Sequence, residues 1–466
     1  MVRIAVAQTP GSRLDEWPKV HELIEELIQR ATDSNADLVL FPECVWPAYF
    51  IGSVDDYFQA RDAGMPSDRW FLTQLTTWTR AHRIAICAGF IAEQERRLFN
   101  AACLISEAGQ VLGTYHKCFL WDFDHAFFEP GRSIAPVSTA WGPVGLMICA
   151  DARLPEIAAT LAARGARLIL HPTAWVNCGT PERLWNPQPE LLVPERAREF
   201  GLPIASASKW GVEGETTFVG SSLICDAAGT DVAHCGTSET NLIIADVTLR
   251  APQRPKLTAS QRARLLGSQP AEPPTANVPS LRVVLLKQHA AARVALNTLG
   301  KADPSDGAAP TLLLAHPPTS DSPPDSVDRR DNWLFLTGPV DGIQALDAAR
   351  VAAVRDRDAT GFAPLRALAL DGVHLVVVFG DAVSARTLRS RAAENRVFLV
   401  HVTASGISGY DPCGDQVRLS EPCDGTLTGT SAEVVGLALD IARAADKEFA
   451  PRTNPFAQRR PELYEF

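Results

Sequence analysis

The 466-residue chain has no apolar run of 18 or more residues, the length needed for a helix to cross a hydrocarbon core of about 30 Å. No membrane span is therefore expected. There is no Cys-x-x-Cys pair either. The ten cysteines stand singly at 44, 87, 103, 118, 149, 178, 225, 235, 413 and 423, so no structural metal site is expected. A charged-then-apolar leader is also missing: MVRIAVAQTP reads at once as a strand, and the expected location is cytoplasmic, with reduced thiols such as Cys87 and Cys103 filling strand positions. Nor is there an excess of positive charge. Against 54 acidic residues stand 44 basic ones, a formal net charge of -10, which argues against nucleic acid or an anionic membrane as partner. What is present is 46% hydrophobic and 21% charged residues, enough for substantial cores in two or three domains.

Over the first 250 residues short apolar strands alternate with amphipathic helices. Strands are expected at VRIAVAQ, ADLVLFP, RIAICAGF, NAACLIS, VGLMIC, ARLILHP, LPIASAS, GSSLICD and NLIIADV. Apolar residues three and four apart predict helices over 16–32, 66–82, 154–164 and 188–201. This interleaving indicates an α/β layered fold with largely buried sheets. Residues 266–280, which include SQPAEPPTANVPS, are polar and proline-rich and are read as a linker. The expected domains are 1–265, carrying the chemistry, and 281–466.

The second part repeats the first. LRVVLLKQH (281–289) matches VRIAVAQTP, TLLLAHPP (311–318) matches DLVLFPE, and NWLFLTG (332–338) matches RIAICAG. Further on, LALDGVHLVVVFG (368–380) matches LAARGARLILHPT, and RAAENRVFLV (391–400) matches RAREFGLPIA. Five matches in one order indicate an internal duplication. The second copy is shorter by about 42 residues between its third and fourth matches, and Asp356 falls opposite Cys149. It also lacks lysine between 301 and 447 and cysteine before 413. The chemistry is therefore expected in the first copy alone.

Three residues there bear on chemistry. Glu43 ends the buried strand LVLFPE, where a carboxylate is costly without a partner or a task. Lys117, in TYHKCFLW, follows a strand. Cys149 ends GLMIC, directly before the helix-opening ADARLPE, and strand carboxyl ends are where α/β proteins place their sites. Each residue alone also suits a structural ion pair or an inert core thiol. Together they make an acyl-transfer set: a base for the thiol, a cation for the thiolate and oxyanion, and a nucleophile. The N–H of Ala150 would add to the oxyanion site. His116, His125 and His171 leave a Cys–His hydrolase open as a second arrangement, and a non-catalytic scaffold as a third.

FPE at 41–43, YHK at 115–117 with FFEPG at 127–131, and ICADARLPE at 148–156 resemble the nitrilase superfamily of carbon–nitrogen hydrolases. The resemblance implies a four-layer αββα sandwich, followed here by a second, shortened and degenerate αββα-like domain. It implies a Glu43–Lys117–Cys149 triad working through a thioester, with no cofactor. Where many members carry an additional glutamate this chain has Asp124, and Phe200 stands where asparagine is usual. Trp175 resembles a pocket-lining residue, while Arg153 and Glu156 are expected to form structural ion pairs. Cys-Ala-Asp, rather than the Cys-Trp-Glu of true nitrilases, favours a small-molecule amide or N-carbamoyl substrate over a nitrile. Loops 46–68 and 176–195 are expected to wall the pocket. RRPELY (459–464) is also typical of the family and is assigned to the second copy. Members pair their sandwiches across a helical face, so the fused copy is expected to form a pseudo-dimer within one chain.

Overall fold

Strand β1 (Val2–Pro10) sets the layering of the first unit, because both of its faces are apolar. Ala5 and Ala7 point toward helices α1 (Trp17–Asp33) and α3 (Asp68–His82), into a core with Val20, Ile24, Leu27, Phe71 and Leu75. Ile4 and Val6, one residue out of phase, are equally buried on the opposite face. A strand buried on both sides belongs in the middle of stacked layers. The computed structural model describes residues 1–267, 281–286, 311–315, 327–330, 333–336, 339, 341–346, 349–418 and 434–466. Nearly all of the expected linker 266–280, with the matched residues 287–289, 316–318, 332 and 337–338, lies outside the described residues.

In the first compact unit β1 is followed by β2 (Leu38–Leu40), α2 (Val54–Asp62), α3, β3 (Ala85–Gln94), β4 (Arg97–Ile105), β5 (Val111–His116) and α4 (Asp124–Phe127). Next come β6 (Val137–Thr139), β7 (Gly142–Leu146), α5 (Pro155–Ala163), β8 (Leu168–Pro172), α6 (Val193–Phe200) and β9 (Ile204–Ala207). The last strands are β10 (Lys209–Glu213), β11 (Thr216–Val219), β12 (Leu223–Cys225), β13 (Asp231–His234) and β14 (Asn241–Val247). One sheet runs β11-β10-β1-β2-β3-β4-β5, with β14 also paired to β1, and the other runs β13-β12-β9-β8-β7-β6. Strands β1, β2 and β3 pack on β8 and β9 of the other sheet, with α1 and α3 outside the first sheet and α5 and α6 outside the second. This is the expected αββα sandwich. The expected strands and helices all recur, with ends shifted by a few residues. Helix α2 was missed within the presumed loop 46–68. It buries only Tyr57 and so has no apolar stripe to read; Ser53 starts it by accepting the Asp56 N–H.

The second unit, Leu257–Lys447, is likewise sheet-rich. Helix α7 (Ala259–Leu266) belongs to it through Arg264, which pairs with Asp371 at 2.6 Å. One of its sheets runs β17 (Val327–Arg330), β18 (Trp333–Leu336), β16 (Thr311–Ala315), β15 (Leu281–Leu286) and β25 (Val434–Leu439). The other runs β19 (Gln344–Leu346), β20 (Ala349–Arg355), β21 (Leu375–Phe379), β22 (Phe398–Thr403), β23 (Gly406–Tyr410) and β24 (Gln416–Val417). Within β25-β15-β16-β18 the order and directions are those of β14-β1-β2-β3. The β19-to-β24 sheet repeats β6-β7-β8-β9-β12-β13 in both respects. Gly145 pairs with Ile169, and Ala352 with Val376, which is the register that sets Asp356 opposite Cys149.

The expected boundary at 281–466 needs correction. Residues Glu448–Phe466 belong to the first unit, together with Met1–Lys256. The reason is specific ion pairing on the first sandwich. Arg459 meets Glu156 at 3.0 Å with both side chains buried, and Glu465 meets Arg164 at 2.8 Å.

Candidate active site

Glu43 lies three residues beyond β2. Its backbone N–H donates to the Thr173 carbonyl at 3.3 Å, tying it to the other sheet. The neighbouring strand comes close because residue 89 is glycine: a Cβ there would stand 2.6 Å from Glu43 Cα. Lys117 follows β5 and is fixed on both sides of its backbone. Its N–H donates to the Asn100 carbonyl at 2.9 Å, and its carbonyl accepts from Gly131 at 2.7 Å.

Three side chains meet at the Lys117 ammonium. Nζ lies 2.7 Å from Glu43 Oε1, 2.6 Å from Asp124 Oδ2 and 3.2 Å from the Tyr49 hydroxyl. Lys117, Glu43 and Asp124 are all fully buried. An ammonium has three protons to donate, and all three have acceptors. Asn100 Nδ2 donates to Glu43 Oε1 at 2.7 Å, and the Trp121 N–H to Asp124 Oδ2 at 2.8 Å. Glu43 Oε2, Asp124 Oδ1 and Trp175 Nε1 are buried without a hydrogen-bond partner among the described residues.

Burial pushes the Glu43 carboxyl above its ordinary value, and the second carboxylate at Asp124 reinforces this while Lys117 opposes it. The same burial works against the charged form of Lys117, but Asp124 and Glu43 outweigh it and hold the ammonium well above the ordinary lysine range. The resting cluster is thus a lysinium clamped between two acidic groups.

Cys149 sits in a tight turn, Cys149–Arg153, between β7 and α5, and its backbone is left-handed at φ +44°. A non-glycine residue held there costs of order 1–3 kcal/mol and needs surroundings that fix it. Asp151 supplies them. One oxygen accepts the Ile148 N–H at 2.9 Å and the Tyr115 hydroxyl at 2.8 Å; the other accepts the Phe119 N–H at 2.9 Å. One carboxylate therefore ties the turn to the segment just after Lys117. The Cys149 thiol lies 3.9 Å from the Ala174 carbonyl. Burial and then the Glu43 charge push the thiol up to about 12, with Lys117 pulling the other way. It rests protonated and within the electrostatic reach of both partners.

His171 is placed differently from the Cys–His alternative. Its Nε2 donates to the Cys149 carbonyl at 3.0 Å and its Nδ1 accepts from the Ser206 hydroxyl at 3.0 Å; it holds the turn, not the sulfur. His116 stacks on Phe99, and His125 contacts Gln458. Burial lowers His171 to about 4. Because its folded value lies below its ordinary 6.5, the unfolded chain takes up the proton first as pH falls, and stability is lost between pH 6.5 and 4. The stability advantage of wild type over His171→Gln should therefore shrink by about 3 kcal/mol across that window, as read by denaturant unfolding. An advantage independent of pH would show that His171 is not buried neutral.

Ala150 lies in the same turn and is buried. Trp175 is fully buried and meets the His171 ring edge-on at 6.1 Å. Arg153 lies between the rings of Trp121 and Phe449, at 4.7 and 4.8 Å, a cation–π sandwich. Glu156 forms the expected ion pair, with Arg459. Phe200 is core. Sequence reasoning missed Tyr49, Asn100 and Asp151, as well as Glu213, which accepts the Tyr49 and Phe50 N–H groups at 3.0 Å and pairs with buried Lys209. Asp151 had a signal in the Cys-Ala-Asp motif, and Glu213 had one as a charged residue four after a lysine in an otherwise apolar strand. Among the described residues no helix is long and apolar enough to cross a membrane.

Comparison with known proteins gives the family. A family model described as carbon–nitrogen hydrolase matches residues 3–254. A nitrilase of Pyrococcus abyssi is 28% identical over 250 residues, 53% of this chain and 90% of that protein. The omega-amidase of Saccharomyces cerevisiae is 26% identical over 255 residues, 51% of this chain and 84% of its own length. The crystal structure of an amidase from Nesterenkonia sp. has 30% identity, covers 53% of this chain and 89% of its own, and has a TM-score of 0.46. With the family match spanning more than half of its length, the chain belongs to the carbon–nitrogen hydrolases and is an enzyme of that family.

Proposed function

We propose that the first unit hydrolyses a small amide or N-carbamoyl compound through a thioester on Cys149. The observation that carries this reading is the Lys117 ammonium, clamped between Glu43 and Asp124 and acting on the charge of Cys149. Glu43 takes the thiol proton through its free Oε2, and the thiolate attacks the substrate carbonyl carbon. Negative charge moves to the carbonyl oxygen, where Lys117 and the Ala150 N–H stabilise it. As the carbon–nitrogen bond breaks, Glu43 returns the proton to the departing ammonia or amine. A water, deprotonated by Glu43, attacks the thioester; the carbon–sulfur bond breaks, the acid leaves and the proton returns to the cysteine sulfur. A base raised toward neutrality by burial suits both proton transfers.

Asp124 does the work of the family's additional glutamate by holding Lys117, with its free Oδ1 left to accept from a substrate N–H. The second unit is a degenerate copy. Supporting this are the shared strand order and register and the chemistry of Asp356, whose carboxylate is spent on the Arg357 and Ala382 N–H groups at 2.7 and 2.9 Å.

Ammonia release from a panel of amides, ureido acids and nitriles, compared with Cys149→Ala, tests the reading. Amides or ureido acids should be turned over by wild type alone. Release from nitriles only would move the chain to the nitrile-hydrolysing branch, and release from nothing would favour a scaffold.

A further inference from the structure

The segment Glu448–Phe466 is unusual in where it lands. It follows the second unit in sequence yet contacts the catalytic sandwich on both sides of Asp124. Thr453 Oγ1 accepts the Asp122 N–H at 2.7 Å, and Arg452 meets the Asp122 carboxylate at 3.3 Å. Three residues further on, Gln458 Nε2 lies 2.6 Å from His125 Nε2. Phe449 completes the sandwich around Arg153, four residues after the nucleophile, and Arg459 is anchored on Glu156.

The loop so held is one that needs holding. Asp122 has φ +27°, a left-handed backbone in a non-glycine residue, which persists only where neighbours over-determine it. Thr453 is fully buried; its hydroxyl accepts from Asp122 and donates to the Pro451 carbonyl at 3.2 Å. From Asp122 the chain turns at once into Asp124, whose carboxylate holds Lys117.

We propose that Glu448–Phe466 is a working part of the catalytic unit, with Thr453 as a positioning residue that acts through the Asp122–Asp124 turn to fix the Lys117 ammonium. Resting on the Glu43–Lys117–Cys149 reading, this assigns the terminal segment a role in kcat rather than in substrate affinity. It also gives a reason for the second unit to be retained: the chain reaches the site's last brace only by passing through it.

The test uses the full chain with Thr453→Val, which keeps the shape and loses the acceptor, and Thr453→Ser, which restores the hydroxyl. Thr453→Val should lower kcat about tenfold, with KM within about twofold of wild type, since misplacing a catalytic group costs rate before binding. Cys149 alkylation by iodoacetamide should reach half its maximal rate at higher pH in Thr453→Val, because a displaced ammonium stabilises the thiolate less. Thr453→Ser should behave as wild type in both assays and in thermal unfolding, whereas Thr453→Val, which leaves the Asp122 N–H without its acceptor, should unfold at a lower temperature but remain folded under assay conditions. Equal kcat and an unmoved alkylation profile in Thr453→Val would overturn the proposal. So would a loss that Ser fails to rescue. The alkylation arm needs no substrate, so it decides the positioning role even if Cys149→Ala shows the triad reading to be wrong.

Discussion

Glu43→Gln should lower amide hydrolysis by about a thousandfold while leaving a folded, stable enzyme, because general-base transfer by a placed carboxylate contributes roughly 10²–10⁴. Glutamine keeps an oxygen that can accept from Asn100 and Lys117, the two donors now on Glu43 Oε1. What it loses is the basic lone pair on Oε2. Stability should not fall, since Glu43 is one of two buried carboxylates facing a single ammonium, and removing one charge leaves Lys117 paired with Asp124. The pH profile gives a second readout. Burial raises the Glu43 carboxyl, so wild-type activity should rise with pH through a value above the ordinary carboxylate range as the base ionises. Glu43→Gln should flatten that acid limb. Activity above a tenth of wild type would remove Glu43 as the base.

Lys117→Met should damage both stability and rate. Breaking a buried ion pair by deleting one partner costs about 3–5 kcal/mol, because the other charge is left uncompensated. Here two charges are stranded, those of Glu43 and Asp124. Without the ammonium, which opposes the effect of burial, the Glu43 carboxyl should rise further above its unfolded value. Groups raised in this way support the fold below the unfolded value and lose that support as pH rises. The deficit measured by denaturant unfolding should therefore be small near pH 4 and grow toward neutrality. Adding Asp124→Asn should recover more than half of the lost stability at pH 7, since one buried negative charge is gone. It should recover no rate. Removing an oxyanion donor costs about 10²–10³ in kcat, and this one also balances the thiolate. Additive stability effects in the double variant would mean that Lys117 and Asp124 do not form the unit drawn from their 2.6 Å contact.

Parts of the site were legible and parts were not, for a reason that individual residues make plain. Glu43, Lys117 and Cys149 each sit just beyond a strand, in short motifs whose residue types are hard to explain by packing. Asn100 gave no such signal: inside NAACLIS it reads as one polar residue in a strand, and only the inward side of β4 puts its amide on Glu43. Tyr49 and Glu213 are 164 residues apart in their backbone contact, so no local pattern could join them. His171 is open as a base from the sequence alone, but its Nε2 lies on a carbonyl rather than on sulfur.

By itself the sequence determined the family and the layered α/β class, because periodicity and short motifs are local properties that survive any arrangement of the layers. Only the tertiary structure decided which polar groups share the Lys117 ammonium and where Glu448–Phe466 belongs. Arg459 and Glu156 are 303 residues apart. A buried guanidinium is costly unless it is paired, and which of 54 acidic residues stands in front of Arg459 is settled by packing in three dimensions.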